Sequence, residues 1–191
     1  LAVNNVFMSG LFGYSIKDDN DKYRFTLMHL QNGETRSGRF VETASIENSF
    51  EGLRDNLEYS ERSITSALFN GQHSRKDNTL KVDWRIAPTF SRIADKDIRS
   101  TSFRTEDNAF VIAPGETGFP NRIWRNLNEF NLSNRIDVTR THEVRGRVAK
   151  FKYGASYTLK YRDYEILRYQ LRTKSMGNLP ALSGNADDLL S

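Results

Sequence analysis

Residues 149–162 read A-K-F-K-Y-G-A-S-Y-T-L-K-Y-R. Ala149, Phe151, Tyr153, Ala155, Tyr157, Leu159 and Tyr161 share one parity, and Lys150, Lys152, Gly154, Ser156, Thr158, Lys160 and Arg162 share the other. A β-strand turns alternate side chains to opposite faces, so this stretch has an apolar-aromatic face and a polar-basic face. It is far longer than the usual strand of about 5–6 residues. Crossing a bilayer takes about 9–11 strand residues. Long alternation with tyrosines on the apolar face fits a strand placed between lipid and a watery lumen.

The same pattern extends in both directions. Val6 to Ile16 alternates, with Val6, Met8, Gly10, Phe12, Tyr14 and Ile16 on one parity. The polar run Asp18-Asp19-Asn20-Asp21 reads as a turn. Tyr23 to Gln31 is a second strand, which the Asn32-Gly33 pair breaks, and a polar stretch follows to Asn56. A third strand spans about Leu57 to His73, and residues 74–78 turn the chain. Leu80 to Arg92 is the fourth: Leu80, Val82, Trp84, Ile86, Pro88 and Phe90 face one way, and Lys81, Asp83, Arg85, Thr89 and Ser91 the other. Pro88 donates no ladder hydrogen bond, so a bulge or a strand end is expected near it. A fifth strand covers about Asn131 to Thr141, and residues 142–146 turn into the sixth, which continues toward Leu171.

Connections alternate short and long. Residues 18–21, 74–78 and 142–146 are short, whereas 33–56 and 94–129 are long, and 174–191 is read as a further long loop. Outer-membrane barrels have short periplasmic turns and long extracellular loops. That rhythm sends strands two, four and six outward.

Composition agrees. The chain of 191 residues has no cysteine, so disulfides and thiolate metal sites are excluded. Mean hydropathy is −0.65, and no apolar run reaches the length of a transmembrane helix. A barrel tolerates such low hydropathy because only alternate strand residues meet lipid. The net charge is +4 and the sequence pI about 9.3. Lys and Arg alternate along strands rather than gathering on a helix, and no nucleic-acid-binding motif is present, so nucleic acid is not an expected partner. Leu1 to Asn5 lacks the charged and apolar regions of a signal peptide, so the chain reads as a mature segment or internal fragment.

Five phrases resemble those of TonB-dependent outer-membrane receptors of the Bacteroidota type: Tyr23 to Phe40, Leu57 to Ser66, Trp84 to Arg99, Gly118 to Leu127 and Gly154 to Ile166. They run in order over most of the chain. The resemblance implies an all-β transmembrane antiparallel barrel segment, about six to seven strands of a larger, 22-stranded barrel. It implies the middle of the barrel, without plug domain or TonB box. It also implies energy-driven nutrient uptake across the outer membrane of a Gram-negative bacterium. The partners implied are the remaining strands and plug, the TonB complex, lipid or lipopolysaccharide, and a surface lipoprotein lid. No cofactor is expected.

On this reading Leu80, Val82, Trp84, Ile86, Phe90, Phe151, Tyr153, Tyr157, Leu159 and Tyr161 face lipid. Lys150, Lys152, Lys160 and Arg162 face the lumen, either as a solvated wall or as a lure for an anionic substrate or acidic groups on the plug. Phe119, Arg122, Trp124 and Arg125 are read as a loop that either makes a binding lip or packs on itself. His29, His73 and His142 are too scattered for a metal set, and Asp18 to Asp21 lacks the glycine and distal Glu of a calcium loop. Asp95 and Asp97 open a loop where calcium or a pair with Arg99 are both open. No nucleophile elbow, phosphate loop or zinc-protease motif is present, so an enzyme is not expected. Two other classes stay in view. One is a passive porin or structural barrel, and the other is a soluble β-sandwich or lipocalin-like module whose apolar face is its core.

Overall fold

The computed structural model describes residues 1–44, 50–77, 79–107, 109–112 and 118–172. Every regular element among them is a strand: β1 (Ala2–Lys17), β2 (Asp21–Ala44), β3 (Phe50–Ser74), β4 (Leu80–Glu106), β5 (Ala109–Val111), β6 (Asn121–Val144) and β7 (Arg147–Gln170). They form one antiparallel sheet in the order β1-β2-β3-β4-β6-β7, with β5 paired to the far end of β4. Each of the long strands except β1 exceeds 20 residues.

Substantial contacts join ladder neighbours, so among the described residues no second layer packs on either face. Tyr157 is 62% exposed and Phe12 58%. Most of the few buried side chains among the described residues, Ala94, Asp95, Thr101, Ser102 and Phe103, lie in the loop-ward half of β4, and Ser60 of β3 and Pro120 before β6 are also buried. β1 and β7 are exposed from end to end.

Three connections lie at one end of the sheet: residues 18–20 between β1 and β2, 75–79 between β3 and β4, and Arg145-Gly146 between β6 and β7. Arg145 (φ 52°) and Gly146 (φ 74°) both take positive φ, the conformation that closes a two-residue hairpin in step with the strand twist. The opposite end differs from the expectation. Residues 33–56 are not a long loop. β2 runs through Asn32-Gly33 to Ala44 and pairs with β3 from Phe50, which leaves only 45–49 as the connection. Likewise β4 continues to Glu106 and β6 begins at Asn121, so most of 94–129 is ladder. Alternation signals a strand only where one face is apolar. Here both faces are polar while the backbone pairing goes on. The expected loop 174–191 lies outside the described residues.

Pro88 sits without a bulge, opposite Leu132 of β6. Its cost falls on the other side. The β3–β4 ladder is interrupted between the pairs Ser66↔Thr89 and Phe69↔Ile86, and resumes in the same register. The bulge lies further along β4. Register shifts between Leu57 and Ser60 against β3, and between Asp95 and Ile98 against β6, place one extra residue at Lys96–Asp97. Asp97 has φ 58°, a left-handed conformation that Asp tolerates better than most residues. Past this point parity in β4 inverts: Ile98 pairs with Ile123 on the face that Asp95 shares with Arg125.

Candidate functional site

Directly opposed residues of an antiparallel ladder share a face, so the register sorts every side chain. One face carries Leu80, Val82, Trp84, Ile86 and Phe90 of β4. Next to them stand Phe130, Leu132, Ile136 and Val138 of β6, then Phe151, Tyr153, Tyr157, Leu159 and Tyr161 of β7. Phe12, Tyr14 and Ile16 of β1 meet Leu27, Phe25 and Tyr23 of β2 on the same face. Rings pack across these strands, with Phe25 and Phe69 4.8 Å apart and Phe12 and Phe25 6.3 Å apart.

This apolar belt has a sharp loop-ward limit. From β2 to β7 the next ladder row on that face is Gln31, Ser63, Arg92, Asn128 and Asp163, while on β1 the apolar Met8 stands opposite Gln31. From Leu80 to Phe90 the belt is about 11 residues tall, or about 36 Å at ~3.3 Å per residue. Tilted by ~45°, that strand length covers about 25 Å, the height of the apolar band of an outer-membrane barrel.

Trp84 anchors the turn-ward part of the belt. It lies over Gly71, its partner in β3, where an added Cβ would overlap the indole. Its Nε1–H donates to His73 Nε2 at 2.9 Å, and His73 Nδ1 meets Asp21 Oδ1 at 2.8 Å. The indole donor requires an unprotonated Nε2, which puts the imidazole proton on Nδ1, donated to Asp21. Tyr23 packs edge-on against His73 at 5.3 Å. His29 Nδ1 instead contacts the Thr65 hydroxyl at 2.8 Å, and His142 sits opposite Ala149 far along the β6–β7 hairpin. No group of three or more metal-ligating side chains is assembled among the described residues.

The opposite, inner face is polar and basic. Lys150, Lys152, Lys160 and Arg162 all project from it on β7. Lys160 and Arg162 converge on one carboxylate: Glu129 Oε2 lies 3.0 Å from Lys160 Nζ and 2.6 Å from Arg162 Nε, while Asn131 Nδ2 donates to Oε1 at 2.8 Å. Those two cations are therefore spent on the wall itself. Lys150 and Lys152 enter no ion pair among the described residues.

Arg122, Trp124 and Arg125 do not form a loop lip. They belong to β6, with Arg122 and Trp124 on the outer face and Arg125 on the inner. Arg125 Nε lies 2.7 Å from Asp95 Oδ2. Arg122 forks onto Asp97, Nε to Oδ1 and Nη2 to Oδ2 at 2.7 Å each, and its guanidinium stands 5.1 Å from the Trp124 ring. Trp124 in turn meets Tyr169 edge-on at 5.6 Å. Arg99 Nε also donates to Asp97, at 2.8 Å. The Arg122 hydrogen bond, helped by Arg99, holds the Asp97 carboxyl below its ordinary range against the opposing effect of partial burial. The acidic pair expected to open a loop is thus the clasp of a bulged strand. A signal for it exists in the sequence: the even apolar parity of Leu80 to Phe90 gives way to an odd Phe103.

A second cluster escaped sequence reading because it needs the register of four strands. On the inner face, behind the turn-ward half of the belt, a concavity of about 560 Å³ is lined by Lys22, Arg24, Asn70, Arg85, Arg135 and Asp137. Asp83 also lines it. No protein-family model matches the chain, and no curated protein matches it in sequence.

Proposed function

We propose that the chain is part of the wall of an outer-membrane β-barrel and that the whole protein is a TonB-dependent receptor for uptake of a nutrient ligand. One observation carries the barrel half of this reading: a single antiparallel sheet with an apolar belt about one bilayer tall on one face, a charged opposite face, and short turns gathered at one end. A face of exposed tyrosine, phenylalanine and leucine is untenable in water without a second layer, and it is what lipid requires. The short turns then lie on the periplasmic side and the strand extensions rise beyond the outer leaflet. The remaining strands continue the ladder from β1 and β7, since lipid tolerates no open edge.

The transport half rests on the resemblance of the five sequence phrases to this receptor family. In this reading, loops and lumen bind the ligand, and TonB-driven rearrangement of a plug releases it inward. A surface lipoprotein lid and lipopolysaccharide are further partners of the same reading. The test is the intact mass of the native polypeptide together with its membrane fraction. A mass several-fold above 22.0 kDa recovered from the outer membrane, with a plug and TonB box in the same polypeptide, is the expected result. A barrel lacking both is a passive porin. A water-soluble monomer of the chain's own mass sinks the reading altogether.

A further inference from the structure

We infer that the inner concavity formed by β2, β3, β4 and β6 is a binding site for a small multivalent anion carrying carboxylate or phosphate groups. The inference deepens the receptor reading, since it takes this face as the aqueous one. Its basis is a charge arrangement that the wall does not satisfy by itself. The lining holds four cations, Lys22, Arg24, Arg85 and Arg135, against two carboxylates, Asp83 and Asp137. Asp137 is engaged by Arg135, Nε to Oδ2 at 2.7 Å and Nη2 to Oδ1 at 3.1 Å. Asp83 is engaged from outside the concavity by Lys81 Nζ at 3.2 Å. Arg85 hydrogen-bonds the neutral Asn70 Oδ1 at 3.2 Å and feels the Asp137 carboxylate only at longer range, outside ion-pair distance. Lys22 and Arg24 enter no ion pair among the described residues.

The register makes the excess deliberate. Lys17 stands directly opposite Lys22, and Arg85 directly opposite Arg135. Like charges in directly opposed positions destabilise a ladder. Asp83 and Asp137, directly opposed in the adjoining row, supply counter-charge for Arg85 and Arg135, whereas Lys22 and Arg24 stand opposite the neutral Gln72 and Asn70 of β3, which leaves the excess positive charge on the β2 side of the concavity. Arg24, Asn70, Arg85 and Arg135 fall in one row across four adjacent strands. At ~4.8 Å per strand, Arg24 and Arg85 are about 10 Å apart. That spacing suits an anion with two charged groups, each met by a guanidinium or ammonium, the strongest class of hydrogen bond available here. The volume lies within the ~300–1,000 Å³ of small-ligand sites.

The experiment is titration calorimetry of the native polypeptide in detergent at about 150 mM NaCl, where weak surface charge effects are screened. The probes are pyrophosphate and citrate, with glucose as the neutral control. Wild type is expected to bind both anions saturably and glucose not at all. Lys22→Gln with Arg24→Gln should weaken binding by about tenfold or more, and Arg85→Gln, on a different strand, should weaken it independently if the first variant misfolds. Arg75→Gln with Lys76→Gln removes as much charge from the turn at 75–79 and should change nothing. Absent anion binding, equal loss in the turn variant, or binding of glucose overturns the site. Anion binding by a water-soluble monomer keeps the site and sinks the receptor reading. An outer-membrane barrel that ignores both anions does the reverse.

Discussion

At the scale of single residues, two positions concentrate consequences. Gly71 is the floor under the Trp84 indole. Gly71→Ala forces that ring off its seat and away from His73, and overpacking of this kind costs about 1–3 kcal/mol. The expected readout is a shifted tryptophan emission together with earlier unfolding in denaturant; an unchanged spectrum would show that the indole has room to spare. Asp97 combines a positive φ with two guanidinium partners. Asp97→Ala should cost about 1 kcal/mol, discounted for partial exposure, and show as faster hydrogen exchange in the ladder beyond the bulge. Because the folded carboxyl titrates below its unfolded value of ~3.9, its contribution is complete above that pH and is lost as pH falls through the depressed value. Protection of those amides, corrected for intrinsic exchange, should hold level from neutrality to about pH 4 and then drop. Loss beginning near pH 6 would point to another group.

At the scale of elements, the strands combine a belt segment with one apolar face and a loop-ward segment without one. The belt segment was legible from alternation: β1, the heart of β4 and β7, and all three short turns follow from parity and turn residues alone. The loop-ward segments were not, because β2 beyond Gln31 and β4 beyond Arg92 mix polar and apolar residues on both faces, and a backbone ladder without a continuous apolar face leaves no mark of period two. The bulge hid for a related reason: one extra residue alters no composition, only phase. It acts on β4 as a frameshift acts on a gene. Deleting Lys96 would remove the bulge and leave Ile98 to Thr105 on their present faces, whereas deleting a residue of the regular ladder would exchange the faces of all that follows it. Neighbouring positions on β7 test the belt directly. Leu159→Arg places a charge on the apolar face and should cost about 2–4 kcal/mol in folding into vesicles, whereas Thr158→Arg, one residue away on the inner face, should be nearly neutral. Equal costs would mean that the face assignment is wrong.

At the scale of the whole molecule, the sheet has breadth without depth. Its cationic concavity draws on β2 through β6, and no local motif announces such a convergence, whereas the clustering of short turns at one end was plain in the connection lengths. With two free edges and an unburied belt, residues 1–172 produced alone in water should aggregate, as sedimentation will show; a stable soluble monomer would require a covering layer that the described residues do not supply. The turns themselves are not level. The last pairs of the first two hairpins, Lys17↔Lys22 and Ser74↔Lys81, align with Asp137 and Thr139 of β6, while the third hairpin runs on to Val144↔Arg147. Followed around a closed wall, this offset accumulates like the pitch of a spiral stair. If the proposed barrel closes, a circuit that began on the tread of β1 would return a storey away from it, so strands completing such a ring would arrive displaced and could lock in only one winding sense.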